Sequence, residues 1–201
     1  TFTSLAQNAT TGDLFILQNT SGPGQGQGGS MLRSTDNGAS WSSLPFKFGT
    51  TYTNIYFAQG KGYLMGGEGA AEMLTSNDNG STWTNKRTLE GYSIAQVHVN
   101  KDITYATVGY SSIYRSTDGG NTFSLSYKSN TGETSHTNQL VSADAENITF
   151  RFGSAGYFRT DAIDSYAGLG YTLDKGINWQ SIKSNKKSVF SSASFYSQKE
   201  G

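Results

Sequence analysis

An all-β fold built from a repeating unit of about forty residues is what this sequence predicts, on three observations. The first is composition. Twenty-five glycines, abundant Ser, Thr and Asn, and an aromatic set of 12 Tyr, 11 Phe and 3 Trp favour short strands joined by tight turns. Leu, Glu and Ala are too sparse for a helical protein. The second is a phrase written four times. Ser34-Thr35-Asp36-Asn37-Gly38-Ala39-Ser40-Trp41 returns as Ser76-Asn77-Asp78-Asn79-Gly80-Ser81-Thr82-Trp83. It returns again as Ser116-Thr117-Asp118-Gly119-Gly120-Asn121-Thr122-Phe123 and, worn, as Thr172-Leu173-Asp174-Lys175-Gly176-Ile177-Asn178-Trp179. The third is spacing: Asp36, Asp78 and Asp118 lie 42 and 40 residues apart, about one four-stranded unit.

Each part of the phrase suits a hairpin turn. The Asp carboxylate and the Ser or Thr hydroxyl accept hydrogen bonds from turn N–H groups. Gly supplies the positive φ of the reversal. The aromatic opens the next strand and packs its ring on a neighbouring sheet. The pattern resembles the Asp-box, or bacterial neuraminidase repeat. That resemblance implies a β-propeller whose blades are four-stranded antiparallel sheets. It places the box on the turn between a blade's third and fourth strands, as a folding device away from the central channel. The structural positions it marks here are Ser34, Asp36, Gly38 and Trp41; Ser76, Asp78, Gly80 and Trp83; Ser116, Asp118, Gly120 and Phe123; and Asp174, Gly176 and Trp179.

One propeller-like domain over residues 1–201 is expected, with blades at about 1–46, 51–89, 92–128 and 137–184 and an extra C-terminal strand at 188–196. The first blade reads as strands at Thr3–Asn8, Asp13–Gln18, Ser30–Ser34 and Ser40–Leu44, with a flexible loop at Asn19–Gly29. The second reads Thr53–Gln59, Gly62–Gly66, Glu72–Ser76 and Thr82–Lys86, and the third Ser93–Asn100, Asp102–Val108, Ser112–Ser116 and Thr122–Tyr127. The fourth reads Gln139–Ala143, Asn147–Phe152, Gly170–Thr172 and Asn178–Ile182, stretched by an insertion at Gly153–Leu169. Ser188–Tyr196 then reads as the first strand of another blade, shared with the N-terminal strand, belonging to a longer propeller of which this is a fragment, or completed by a partner. An unclosed propeller would leave unpaired edges, so ring closure or assembly is expected.

The charges exclude two partner classes. Fifteen basic and fifteen acidic residues cancel, so nothing draws the chain to nucleic acid or an anionic membrane. No apolar run approaches the roughly 20 residues of a membrane span, and with no Cys there are neither disulfides nor thiolate metal sites. The opening TFTSLAQNATTG lacks the basic start and apolar middle of a signal peptide.

Motifs that mimic chemistry read as structure. Gly24 to Gly29 contains G-x-G-x-x-G, but a strand and hairpin follow instead of the helix that would hold a pyrophosphate. Asn77-Asp78-Asn79-Gly80 mimics a calcium loop without its leading Asp and closing Glu. His98 falls in an inner strand and His136 in a connection, and neither has a second metal ligand near it in sequence. Arg33 and Arg115, just ahead of two boxes, read as covers for aromatic rings or for the turn. A sialidase would need an arginine triad, a Tyr–Glu pair and a proton donor. Besides Arg33 and Arg115 the chain holds Arg87, Arg151 and Arg159, and Phe150-Arg151-Phe152-Gly153 departs from that family's Phe-Arg-Ile-Pro phrase. No catalytic, cofactor or metal residue is assigned.

The expected function is a non-enzymatic binding or structural module making protein or glycan contacts. A homo-oligomer or part of a larger assembly is expected, in a virion (phage head, tail or fibre) or extracellular setting. The alternative is a domain of a larger glycan-processing enzyme; photosystem assembly factors, which share the Arg-Ser-Thr-Asp phrase, are a third reading. The candidate contact surface is the fourth-blade insertion, with Tyr157, Arg159, Asp161, Asp164 and Tyr166.

Overall fold

The computed structural model describes residues 2–22, 25–48, 51–67, 70–109, 112–128, 135–143, 148–155 and 169–182. Every regular element among them is a β-strand, and the strands form four antiparallel sheets of four, each in chain order. The chain divides into two compact units, residues 1–95 and 96–201.

The first unit holds two sheets. One comprises β1 (Phe2–Gln7), β2 (Leu14–Gly22), β3 (Gln25–Ser34) and β4 (Ser42–Phe48). The other comprises β5 (Tyr52–Ala58), β6 (Lys61–Gly66), β7 (Ala71–Ser76) and β8 (Thr84–Leu89). Period-two alternation sends Phe15, Leu17 and Met31 of the first sheet into one core with Tyr52, Ile55, Leu64, Leu74 and Trp83 of the second. Phe57 sits between, tilted on Phe15 at 4.7 Å and edge-on to Trp83 at 5.9 Å. Both separations lie in the favourable range for aromatic pairs.

The second unit repeats the plan. Its sheets are β9 (Ile94–Asn100), which begins just across the boundary, β10 (Ile103–Val108), β11 (Ser112–Ser116) and β12 (Ser124–Lys128), then β13 (Ser135–Ala143), β14 (Ile148–Ala155), β15 (Leu169–Thr172) and β16 (Gln180–Ile182). Ile103, Tyr105, Ile113 and Leu140 are its core, with Tyr127 and Trp179 packed beside them. Trp179 stands 6.2 Å from both the Tyr105 and Tyr127 rings. Gln96 reaches from one sheet to the other, its amide donating to the Leu140 carbonyl at 3.2 Å and accepting from the Leu140 N–H at 2.8 Å.

The structure differs from the sequence reading at three places. Asn19–Gly29 is not an open loop over its whole length: Asn19 pairs with Gly29, Thr20 with Gly28 and Gly22 with Gln25, so β2 and β3 run on as a long hairpin. Gly-rich sequence weakens a ladder without forbidding it, because the backbone groups still pair. His136 lies in β13, opposite Ser154, and not in a connection. The fourth strand of each sheet starts after the repeated aromatic, at Ser42, Thr84, Ser124 and Gln180. Ser40, Thr82, Thr122 and Asn178 instead belong to the turn, because their N–H groups are taken by its carboxylate. The expected strand at 188–196 and most of the insertion at Gly153–Leu169 lie outside the described residues.

Candidate functional site

The repeated phrase folds the same way four times. In the first copy the Ser34 hydroxyl donates to Asp36 Oδ1 at 2.7 Å and accepts from the Gly38 N–H at 2.8 Å. The same Asp36 Oδ1 also takes the Ser40 N–H at 2.9 Å, and Oδ2 accepts from the Ser40 hydroxyl at 2.6 Å. Ser76, Asp78, Gly80 and Thr82 reproduce these bonds. So do Ser116, Asp118, Gly120 and Thr122, and then Thr172, Asp174, Gly176 and Asn178. The reversal uses two consecutive left-handed residues: Asn37 and Gly38, Asn79 and Gly80, Gly119 and Gly120, Lys175 and Gly176. Asn is among the few side chains that tolerate that conformation, and Lys175 takes it in the worn copy.

These carboxylates are spent on the turn. The Ser40 hydroxyl and N–H hold the Asp36 pKa down at about 2, and the Asn178 N–H does the same for Asp174, at about 2. The Ser116 and Thr122 hydroxyls lower Asp118 further. Burial pulls Asp78 upward, but the Thr82 and Ser76 bonds outweigh it and its pKa is lowered. Groups depressed in the fold stabilise it fully above their unfolded value, near 4, and lose that contribution as pH falls towards 2. The melting temperature is therefore expected to be level from pH 7 to about 5 and to drop between about pH 4 and 2. An Asp78→Asn protein should show a shallower drop in that window. A wild-type protein whose melting temperature stays level down to pH 2 would contradict this account of the turns.

The turn is also where one sheet meets the next. A Cβ on Gly80 would lie 2.6 Å from Phe15 of the preceding sheet, and one on Gly176 would lie 2.6 Å from Tyr105. Strand register explains the recurrence. Phe15 pairs with Arg33, Tyr63 with Thr75, Tyr105 with Arg115 and Phe150 with Tyr171, each pair one step before the repeated hydroxyl. Every sheet therefore carries an aromatic at one position of its second strand. Sequence reading missed this because the second-to-third strand connection varies in length, so the aromatic keeps no fixed offset from the phrase.

The arginines ahead of the turns share the junction. Arg33 lies over the Phe15 ring at 5.7 Å, forms an ion pair with Asp13, and donates to Ser81 Oγ in the next turn at 3.3 Å. Arg115 donates to the Lys175 carbonyl of the turn that follows it, at 2.9 Å. Asn8 meets Asn79 and Lys175 meets Asp102 at the same level of their units.

At the opposite end of the second sheet a different group of side chains collects. Glu72, on β7, is largely covered; Lys86 Nζ stands 2.6 Å from its Oε1, and the Tyr52 hydroxyl donates to Oε2 at 3.5 Å. Burial first, then the Glu72 charge, push the Tyr52 phenol well above its ordinary pKa. It is therefore a hydrogen-bond donor and not a phenolate at neutral pH. The link to the next sheet is pinned here, with the Ala71 N–H donating to the Gly91 carbonyl at 2.9 Å. The pinned link presents Tyr92 with 65% of its surface exposed. His98 stays neutral, its pKa lowered to about 4 by burial. Tyr157, Arg159, Asp161, Asp164 and Tyr166 lie outside the described residues.

No protein-family description matches the sequence, and no curated protein does. Solved structures do. One is an enzyme described as Niastella koreensis GH74, at 18% identity and TM-score 0.57, covering 89% of this chain and 24% of that one. Another is YCF48 bound to D1 peptide, at 15% identity and TM-score 0.53, covering 89% of this chain and 52% of that one. A third is Penicillium chrysogenum alpha-L-arabinanase complexed with arabinobiose, at 16% identity and TM-score 0.54, covering 92% and 67%. At such identities the likeness concerns fold, and it places the chain in the all-β propeller class. The chain spans about a quarter of the first of these proteins and about half of the second.

Proposed function

We propose that the chain is a non-catalytic propeller module that makes protein or glycan contacts through the blade ends opposite the repeated turns. The observation that carries this reading is the end of the second sheet. There the Ala71 N–H bonds the Gly91 carbonyl, next in the chain to exposed Tyr92, and the Lys86–Glu72 pair lies at the same end of the sheet. An exposed aromatic offers large contact area at little ordering cost, which both glycan and peptide recognition use. Tyr157, Arg159, Asp161, Asp164 and Tyr166, in the connection between β14 and β15, are proposed as a second contact set from composition alone. The fold likeness to a protein solved with a bound peptide and to another solved with arabinobiose supports both ligand classes equally. A virion or extracellular setting is proposed from composition alone.

Membership in a larger glycan-processing protein is the second reading. It rests on the fold likeness to the GH74 enzyme, of which this chain covers 24%. Both readings are tested by screening the chain on neutral-glycan and peptide arrays, followed by Tyr92→Ala. The expected result is capture that falls at least about tenfold in Tyr92→Ala, at an unchanged melting temperature. Capture that survives both Tyr92→Ala and a combined Tyr157, Arg159 and Tyr166 alanine variant would overturn the surface. Hydrolysis of an array glycan would favour the enzyme reading.

A further inference from the structure

The first sheet has two apolar faces, and the second sheet covers one of them. Alternation puts Ala6, Phe15, Leu17, Met31 and Leu44 on the covered face. Leu5, Ile16, Leu32 and Trp41 fall on the other. Register shows what that other face is. Leu5 pairs with Ile16 as Ile55 pairs with Leu64, and Ile16 pairs with Leu32 as Leu64 pairs with Leu74. Trp41 donates to the Gly38 carbonyl at 3.1 Å, as Trp83 does to that of Gly80.

The second-sheet members of this set are buried because the first sheet lies on them: Ile55 is 6% exposed, Leu64 0% and Trp83 4%. Leu5 is 65% exposed, and Ile16, Leu32 and Trp41 are half-buried. Gly38 tells the same story. A Cβ there would meet Leu14 and Trp41 of its own sheet at 3.6 and 3.8 Å, and among the described residues no aromatic of another sheet lies within 4 Å of it. The face is built to receive a blade, complete to the glycine that accepts the incoming ring.

A strand with the matching register is on this chain as well. Phe150 of β14 occupies the register position of Phe15 and Tyr105, the rings that fill Gly80 and Gly176. Phe152 follows it at the position of Leu17. We propose that the open face of the first sheet docks the fourth sheet of a second copy of this chain, continuing head to tail the sheet-on-sheet interface already present inside the first unit. Such heterologous contacts close into rings when the rotation allows. An uncovered face of this kind is otherwise an association hazard.

The test is the mass of the intact chain in solution, with Leu5→Glu and Phe150→Ala. The expected wild-type particle is twice the 21.6 kDa chain mass or a higher multiple. Leu5→Glu, on an exposed side chain, should keep the melting profile of dilute wild type and weaken association by at least about 30-fold. Mixing it with Phe150→Ala should restore one-to-one pairing, because each variant retains the half that the other has lost. A monomeric wild type overturns the proposal. Alkylation of a Leu5→Cys variant then separates an open face, which reacts, from one covered by the chain itself, which does not. A multimer indifferent to Leu5→Glu overturns it equally.

Discussion

Gly80→Ala is expected to be among the most damaging single-methyl changes in the first unit, although its site lies on a surface turn. Two costs add. The residue has φ +85°, where an L side chain is strained by about 1–2 kcal/mol. The new methyl would also stand 2.6 Å from the Phe15 ring, which is fully buried and packed against Phe57. Overpacking of that kind costs about 1–3 kcal/mol. Together they lower stability by about 2–5 kcal/mol, or roughly 10 °C or more in the melting temperature of a unit of this size. Gly12→Ala separates the two, since Gly12 has φ +81° but nothing within 4 Å of its would-be Cβ. Urea unfolding followed by Trp fluorescence should place Gly80→Ala at least about 1 kcal/mol below Gly12→Ala, with Phe15→Leu recovering part of the gap. Equal losses would mean that the ring and the turn are not a joint, and that the glycine serves its own backbone alone.

That joint marks the boundary of what sequence alone could show. The turn was legible because its chemistry is local: a hydroxyl, a carboxylate and a glycine within eight residues satisfy one another's hydrogen bonds. Four copies then exposed the unit and the four-stranded sheets. The partners that the turn meets were not legible, since Phe15 and Tyr105 come from another sheet and sit at no fixed distance along the chain. The second-to-third strand hairpin of the first sheet was misread for a related reason. Gly and Gln lower strand propensity, but a ladder already nucleated by Ile16–Leu32 and Leu17–Met31 extends through them at little further cost. Tyr52, Glu72 and Lys86 likewise come from three different strands and showed no motif. The insertion with Tyr157 and Arg159 drew notice by length and composition only, which is why its role is a proposal.

Arg33→Ala should be the second large effect, and for an electrostatic reason that the sequence did not disclose. Asp13 keeps only 8% of its side-chain surface exposed, and Arg33 is its cation. Two guanidinium nitrogens reach the same Asp13 oxygen, the plane of the group lies over Phe15, and the remaining arm touches Ser81. Removing the arginine leaves a covered carboxylate without its partner, which in buried pairs costs about 3–5 kcal/mol. The 24% exposure of Arg33 lets water reach part of the site, so about 2–3 kcal/mol is the expected loss. The penalty belongs to the stranded charge, so it should be relieved when the charge goes too. Asp13→Asn in the Arg33→Ala background is expected to restore at least half of the loss, and the double-mutant cycle should give a coupling of about 1–2 kcal/mol. Arg33→Met, which keeps the aliphatic cover over Phe15, should fare little better than alanine if the charge dominates. A methionine variant as stable as wild type would show instead that Arg33 serves as an apolar lid, with Asp13 held adequately by water.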